Sequence, residues 1–326
     1  MKRILFFAPL VTLFFIGCTS DTNDHNTPPP PPKKPHVAGP AFNSDSAFAF
    51  VKEQVAFGPR VPGTKPHAAC YDYFMAKLKA YGLTVIPQAT TGTTAIDNRM
   101  ASIQNILAQF HPERKDRILL LAHWDTRAFA DDDPDSTKHK MTFDGADDGA
   151  SGAAVLLEIA RILQQKDPNI GVDLLFSDAE DGGLNGGGAA ETWCLGTQYW
   201  TQHAPANYTA RFGILLDMVG GKNATFPKEG TGVYFAKGVV DKVWSAAAGL
   251  GYSNVFIDQE IGQTIDDHLY VNQNLRIPTI DIVHYDLQNF KYPAWHHTTQ
   301  DNMNVIQPVT LRMVGEVVVD VIYNEM

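Results

Sequence analysis

The chain has 326 residues, 44% of them apolar, enough to bury one sizeable core. Its 36 Asp and Glu outnumber 26 Lys and Arg, for a formal charge of -10. An acidic chain without a basic stripe argues against nucleic acid as a partner and suits a ligand with a positive group, such as a peptide amino terminus.

Lys2 and Arg3 precede an apolar run from Ile4 to Ile16 that ends at Gly17-Cys18. A basic start, an apolar stretch and a small residue before the cut predict an export signal over residues 1–17, too short to span a membrane. Gly17-Cys18 resembles a bacterial lipobox, which implies lipidation of Cys18 and a lipid anchor in the bacterial cell envelope, facing the periplasm. Residues 18–41 are polar and rich in proline, so they predict an extended tether. A catalytic domain is expected over residues 42–326. Two further cysteines, Cys70 and Cys194, are candidates for a pair in an exported protein.

Ser44 and Asp45 can cap a first helix with Phe48, Val51 and Val55 on its apolar face. Tyr71, Phe74, Met75 and Leu78 predict a second, stopped at Gly82. Strands are expected at 83–87 and 102–110. A helix opens at Gly149-Ala150-Ser151-Gly152, and others are expected at 197–202, at 239–250 and from Pro308. Short extended segments are expected at 255–257 and 279–283. Residues 128–142, with Asp131, Asp132 and Asp133, read as a solvated acidic loop. Gly182, Gly183 and Gly186 to Gly188 mark another loop. The alternation predicts an α/β fold: a single globular domain whose central mixed, mostly parallel sheet is flanked by helices.

Three short apolar runs end in acids or histidine. Ile118 to Ala122 leads to His123-Trp124-Asp125, Leu174 to Phe176 leads through Ser177 to Asp178-Ala179-Glu180-Asp181, and Ile214 to Leu216 leads to Asp217. Such runs read as strands buried on both faces. Open α/β sheets bind ligands beyond the carboxyl ends of their strands. If the three are neighbours, His123, Asp125, Glu180, Asp181 and Asp217 converge, and clustered buried carboxylates call for a compensating cation. A divalent metal is the natural candidate. Asp266-Asp267-His268 and Trp295-His296-His297-Thr298-Thr299-Gln300-Asp301 add further acids and imidazoles.

In order along the chain, His123-Trp124-Asp125, Gly145-Ala146-Asp147-Asp148, Asp178-Ala179-Glu180-Asp181, Asp217-Met218-Val219-Gly220 and His297-Thr298-x-x-Asp301 resemble the motifs of M28-type zinc aminopeptidases. Asp266-Asp267-His268, Trp193-Cys194-Leu195-Gly196 and the tryptophan near the last histidine narrow the resemblance to the glutaminyl-peptide cyclotransferases of animals and Bacteroidetes-like bacteria. This implies a zinc-aminopeptidase-like fold that cyclises the N-terminal glutamine of peptides or proteins to pyroglutamate and releases ammonia. It implies one Zn2+ per chain, held by Asp147, Asp181 and His297, with His296 as the alternative imidazole ligand. A ligating imidazole needs its other nitrogen oriented, and Asp301 is the candidate for that. Position 181 usually carries glutamate in that family. Glu180 is implied as the proton shuttle and Asp217 and Asp266 as partners of the tetrahedral state. Trp193, Trp295, His296 and Phe290 are implied to bind substrate. The rival expectation is a two-zinc aminopeptidase using His123, Asp147, Asp181, Asp217 and His297. A non-catalytic peptide-binding lipoprotein ranks last, because base and ligands are present.

Overall fold

The three apolar runs become β3 (Arg117–His123), β4 (Gly171–Ser177) and β5 (Gly213–Asp217). They are parallel and adjacent in the order β4-β3-β5. Every residue of β3 and β4 is buried, as their runs of Leu, Ile, Val and Phe require, and the one acid among them, Asp173, is paired with Arg117. β8 (Thr279–Val283) lies parallel beside β5. On the other side β2 (Arg99–Phe110) runs antiparallel to β4, and β1 (Thr84–Thr94) antiparallel to β2 at the edge. Both hairpin strands run longer than their apolar segments because edge residues from Thr90 to Thr94 pair through backbone. The computed structural model describes residues 36–184 and 190–325. The expected export signal, Cys18, the tether up to residue 35 and Gly186 to Gly188 lie outside them.

Helices cover both faces. α1 (Ser44–Val55), α3 (Ala150–Leu163), α5 (Gly230–Gly249) and α7 (Pro308–Tyr323) belong to the large apolar cluster, with α2 (Lys65–Ala80) joining it through Phe74 and Leu78. A smaller cluster of Leu107, Leu119, Leu121, Leu175 and Leu215 packs with Trp200 of α4 (Leu195–Gln202). Burying each such side chain is worth about 1.5–3 kcal/mol against leaving it exposed. The first helix is capped by Asn43, one residue before the expected Ser44, because its side chain accepts from the N–H groups of Asp45 and Ser46. Residues 37–41, read as the end of the tether, run along α7: Val37 donates to Asn324 at 2.8 Å, and Ala38 accepts from Lys166. α5 starts at Gly230, well before the expected 239, with non-helical geometry at Ala236. A two-stranded sheet of β6 (Phe226–Lys228) and β7 (Phe256–Glu260) and the short α6 (Asp267–Tyr270) complete the frame. Among the described residues no helix is long and apolar enough to cross a membrane.

Candidate active site

Because β4, β3 and β5 are neighbours, their carboxyl ends deliver Glu180, Asp181, His123 and Asp217 to one place, as their spacing along the sequence predicted. A pocket of roughly 230 Å³ opens there, lined by Asp148, Glu180, Asp181, Asp217, Asp266, His296 and His297 together with Trp193, Leu184, Ala190, Met218, Ile265 and Tyr292. The turns that carry these groups are strained. Ala179, Cys194, Met218 and His297 all have φ between 49° and 56° although none is glycine. Each such residue costs on the order of 1 kcal/mol or more, and that strain collects at functional sites.

Asp148, Asp181 and His297 place one ligand atom each within 4.8 Å of one another, all buried. His297 Nε2 lies 2.9 Å from Asp181 Oδ1 and 3.6 Å from Asp148 Oδ2. This replaces Asp147 in the expected trio. The Asp147 carboxylate is already filled, since it accepts from the Gly220 N–H at 2.9 Å and the Trp295 indole at 2.9 Å. Asp301 is also reassigned. It does not orient His297 but accepts from the backbone N–H groups of Asp147 at 2.8 Å and Asp148 at 3.1 Å, setting which aspartate faces the pocket. The Nδ1 of His297 faces Asp132 at 3.7 Å instead.

The trio fits a metal ion. Asp148 Oδ2 and Asp181 Oδ1 are buried with no hydrogen-bond donor. Burial, then the charge of Asp148, pushes Asp181 well above the usual carboxylate range, while burial lowers His297 to about 4. One unmatched oxygen from each carboxylate and a neutral imidazole form an O,O,N donor set, and three protein ligands with an open position is the pattern of a catalytic zinc. Arg127, which sequence reading missed, braces this corner. Its backbone N–H reaches Asp181 Oδ2 at 3.1 Å, and its guanidinium reaches the carbonyls of Asp181 and Gly183 and the carboxylate of Asp131. The acidic loop is largely solvent-exposed, as expected, but one of its acids is not. Asp133 is buried and accepts from both the N–H and the hydroxyl of Thr299, tying the loop to the segment that carries His297.

A second trio, His123, Asp148 and Asp217, shares Asp148. Here the imidazole itself sits between the acids, with Nε2 at 3.1 Å from Asp148 and 3.2 Å from Asp217, and Nδ1 at 3.4 Å from Asp125. Burial opposes the charge, but hydrogen bonds to the three acids hold the His123 pKa well above its ordinary value. Asp125 also accepts from the N–H groups of Glu180 and Asp181, so it shapes the turn and does not face the pocket.

Glu180 lies beside the first trio. Burial, then the charge of Asp266, pushes its carboxyl well above the usual range, and the Cys194 thiol donates to Oε1 at 3.4 Å. Cys194 and Cys70 are both free and buried, not paired. Asp266 caps α6 and is pushed up by burial and then by Asp217, placing those two acids near each other as expected.

Trp193 stands parallel to the His297 ring, 6.3 Å between centroids, with Arg127 5.0 Å from its own ring and its indole donating to the Leu184 carbonyl. Gly183 leaves room for that indole, which any Cβ there would strike. His296 lines the pocket and stacks on His297 at 3.6 Å. Two expected pocket residues are elsewhere. Trp295 is turned away to bond Asp147 and lines a separate groove, and Phe290 is 70% exposed outside the pocket. Tyr292, unsuspected in the sequence, fills the wall instead.

An α/β sheet beside whose parallel strand ends two overlapping acid–imidazole trios and a buried glutamate gather has the layout of an enzyme site able to hold a divalent metal. The model of peptidase family M28 matches residues 105–322, and the chain belongs to that family. The chain is similar to the glutaminyl cyclase of Bacteroides thetaiotaomicron, crystallised with N-acetylhistamine, at 47% identity and a TM-score of 0.85, covering 88% of this chain and 100% of that one. It is similar to a Zn-dependent exopeptidase of Parabacteroides distasonis at 49% identity and a TM-score of 0.84, covering 88% and 100%. It also resembles aminopeptidase YwaD of Bacillus subtilis at 25% identity over 74% of this chain and 48% of that protein, so it spans about half of that relative's length.

Proposed function

We propose that this chain is a glutaminyl-peptide cyclotransferase holding one zinc ion on Asp148, Asp181 and His297 and acting on peptides or proteins with N-terminal glutamine. The observation that carries the reading is Glu180 beside that trio, in a small pocket closed by Trp193 and Tyr292 and flanked by Asp217 and Asp266. The similarity to a cyclase at 47% identity over its full length supports it. When bound, zinc supplies a Lewis acid for the γ-carbonyl. Trp193 and Tyr292 hold the glutamine side chain folded towards its own amine. Glu180 takes a proton from the α-amine, whose free pKa is about 7.7–8.0. The amine nitrogen bonds to the side-chain carbonyl carbon (Cδ), the bond from that carbon to the side-chain amide nitrogen breaks, and Glu180 returns the proton to the departing ammonia. Its raised pKa suits both halves of that transfer.

A second reading, a two-metal aminopeptidase, is favoured by the trio His123, Asp148 and Asp217 and by the likeness to exopeptidases. Against it, His123 already spans the two acids and matches their charge. Incubating the purified protein with a Gln-peptide and a Leu-peptide decides. Ammonia from the first without residue release from the second is expected; free leucine with no ammonia overturns the cyclase reading.

The lipid anchor at Cys18, the export signal over 1–17 and the placement in the envelope belong to the same proposal. They rest on Gly17-Cys18 after the apolar run. Cys18→Ala is expected to move the protein from the membrane to the soluble fraction; a variant that stays with the membrane removes the anchor from the proposal.

A further inference from the structure

Along β8, Ile280 and Ile282 enter the large apolar cluster, so Asp281 faces the opposite side of the sheet. Its neighbour across β5 is Leu215, which packs there with Leu119 and Leu121. The strand period therefore gives this position to a leucine or an isoleucine, yet the chain places a carboxyl group there. Asp281 is 1% exposed, and neither of its oxygens meets a hydrogen-bond donor. Among the described residues no lysine or arginine pairs with it. The imidazole of His268 is close: its Nε2 is matched to Glu229 at 2.9 Å, while its Nδ1 is buried without a hydrogen-bond partner. Oxygens of Asp281 and Asp266 and a nitrogen of His268 lie within 4.8 Å of one another.

We infer that Asp281 is a positioning residue, kept as a neutral carboxylic acid, whose O–H donates to Asp266 and fixes that carboxylate against the pocket. The inference rests on the cyclase reading for the task of Asp266. An isolated buried carboxylate is strongly disfavoured unless it is paired. Burial and nearby charges push both Asp281 and Asp266 up, so the pair keeps a proton between them, and we assign it to Asp281, whose oxygens have no other partner. A proton held there needs an acceptor, and Asp266 is the carboxylate within reach. One Asp266 oxygen already takes the Asp267 N–H at 2.6 Å. A donor on the other side leaves the group no freedom to swing, so the wall presents a fixed acceptor to the substrate.

Two substitutions separate this role from packing. Asp281→Asn keeps the size and a donor without any charge, and it is expected to hold kcat within about threefold of the wild type. Asp281→Leu suits the apolar surroundings, and replacing a buried polar group this way is often neutral or stabilising. It is expected to match or exceed the wild-type Tm while lowering kcat about ten- to a hundredfold with little change in KM, the loss typical of a hydrogen bond to a charged group. Full kcat in Asp281→Leu, or equal damage in Asp281→Asn, overturns the inference. If Asp281→Leu does not fold, Asp281→Asn decides alone: retained turnover supports the neutral donor, and lost turnover contradicts it. A wild type that cyclises no Gln-peptide would defeat the cyclase reading and leave the pairing to infrared spectra at neutral pH. Those are expected to show a protonated carboxyl band that Asp281→Asn lacks; identical spectra contradict the inference.

Discussion

The ends of β3, β4 and β5 and the wall built by Trp193 and residues 262–268 and 286–296 meet in one pocket but are made differently. The strand ends are fixed by buried parallel strands: Asp217 closes β5, and Glu180 and Asp181 follow β4 within four residues. The wall is held by side-chain bonds between distant segments, Trp295 to Asp147 at 2.9 Å and His268 to Glu229 at 2.9 Å. The contrast separates two tasks. The sheet brings the charges together, and the loops decide which of them face the substrate.

Four expectations probe that division. The largest effect belongs to the acid–imidazole trio of Asp148, Asp181 and His297. Asp148→Asn and His297→Ala are expected to lose tightly bound zinc and turnover together, whereas Asp147→Asn and His296→Ala keep the metal, as metal analysis beside an activity assay would show. Loss of zinc from Asp147→Asn alone would put the boundary between the regions in the wrong place. Next, Glu180→Gln keeps its shape but cannot accept a proton. It is expected to retain zinc and lose about 10²–10⁴-fold in kcat.

The wall should respond more gently. Trp193→Ala removes a face parallel to the substrate-side imidazole. Its expected effect is a rise in KM of about three- to tenfold, the worth of an aromatic contact, with zinc unchanged. A fall in kcat alone would move Trp193 from binding to chemistry. The smallest effect concerns Glu229, which accepts from Thr231, Gly232 and Thr264 as well as His268. Burial pushes it up, but these bonds, led by His268, hold it at about 2. A depressed folded pKa stabilises the fold above the unfolded value, about 4.3, and that contribution fades as pH falls towards 2. Glu229→Gln should therefore lower Tm at neutral pH by a few degrees and flatten the wild-type decline between about pH 4 and pH 2. Parallel Tm curves for the two proteins would leave Glu229 without this role.

The same division explains what could be read from the chain. Buried parallel strands announce themselves as apolar runs, so Glu180, Asp181, Asp217 and His123 were legible as a converging group. Whether Asp147 or Asp148 faces inward was not, because the choice is made by Asp301, more than a hundred and fifty residues away. Trp295 and Phe290 failed as pocket residues for a related reason. An indole near a histidine in sequence can turn either way, and here Asp147 draws it aside. Arg127 and Tyr292 carried no local pattern. The edge strand β1 was cut short because its threonines show no apolar alternation although their backbone pairs fully with β2.

In the proposed cyclase one metal sits on Asp148, Asp181 and His297 while the His123 imidazole matches the other acids. Counting zinc per chain by native mass spectrometry on the active protein tests it most directly. One tightly held ion, unaffected by His123→Asn and lost in His297→Ala, is the predicted result. Two ions, the second lost in His123→Asn, would contradict it and assign the site to two-metal hydrolysis.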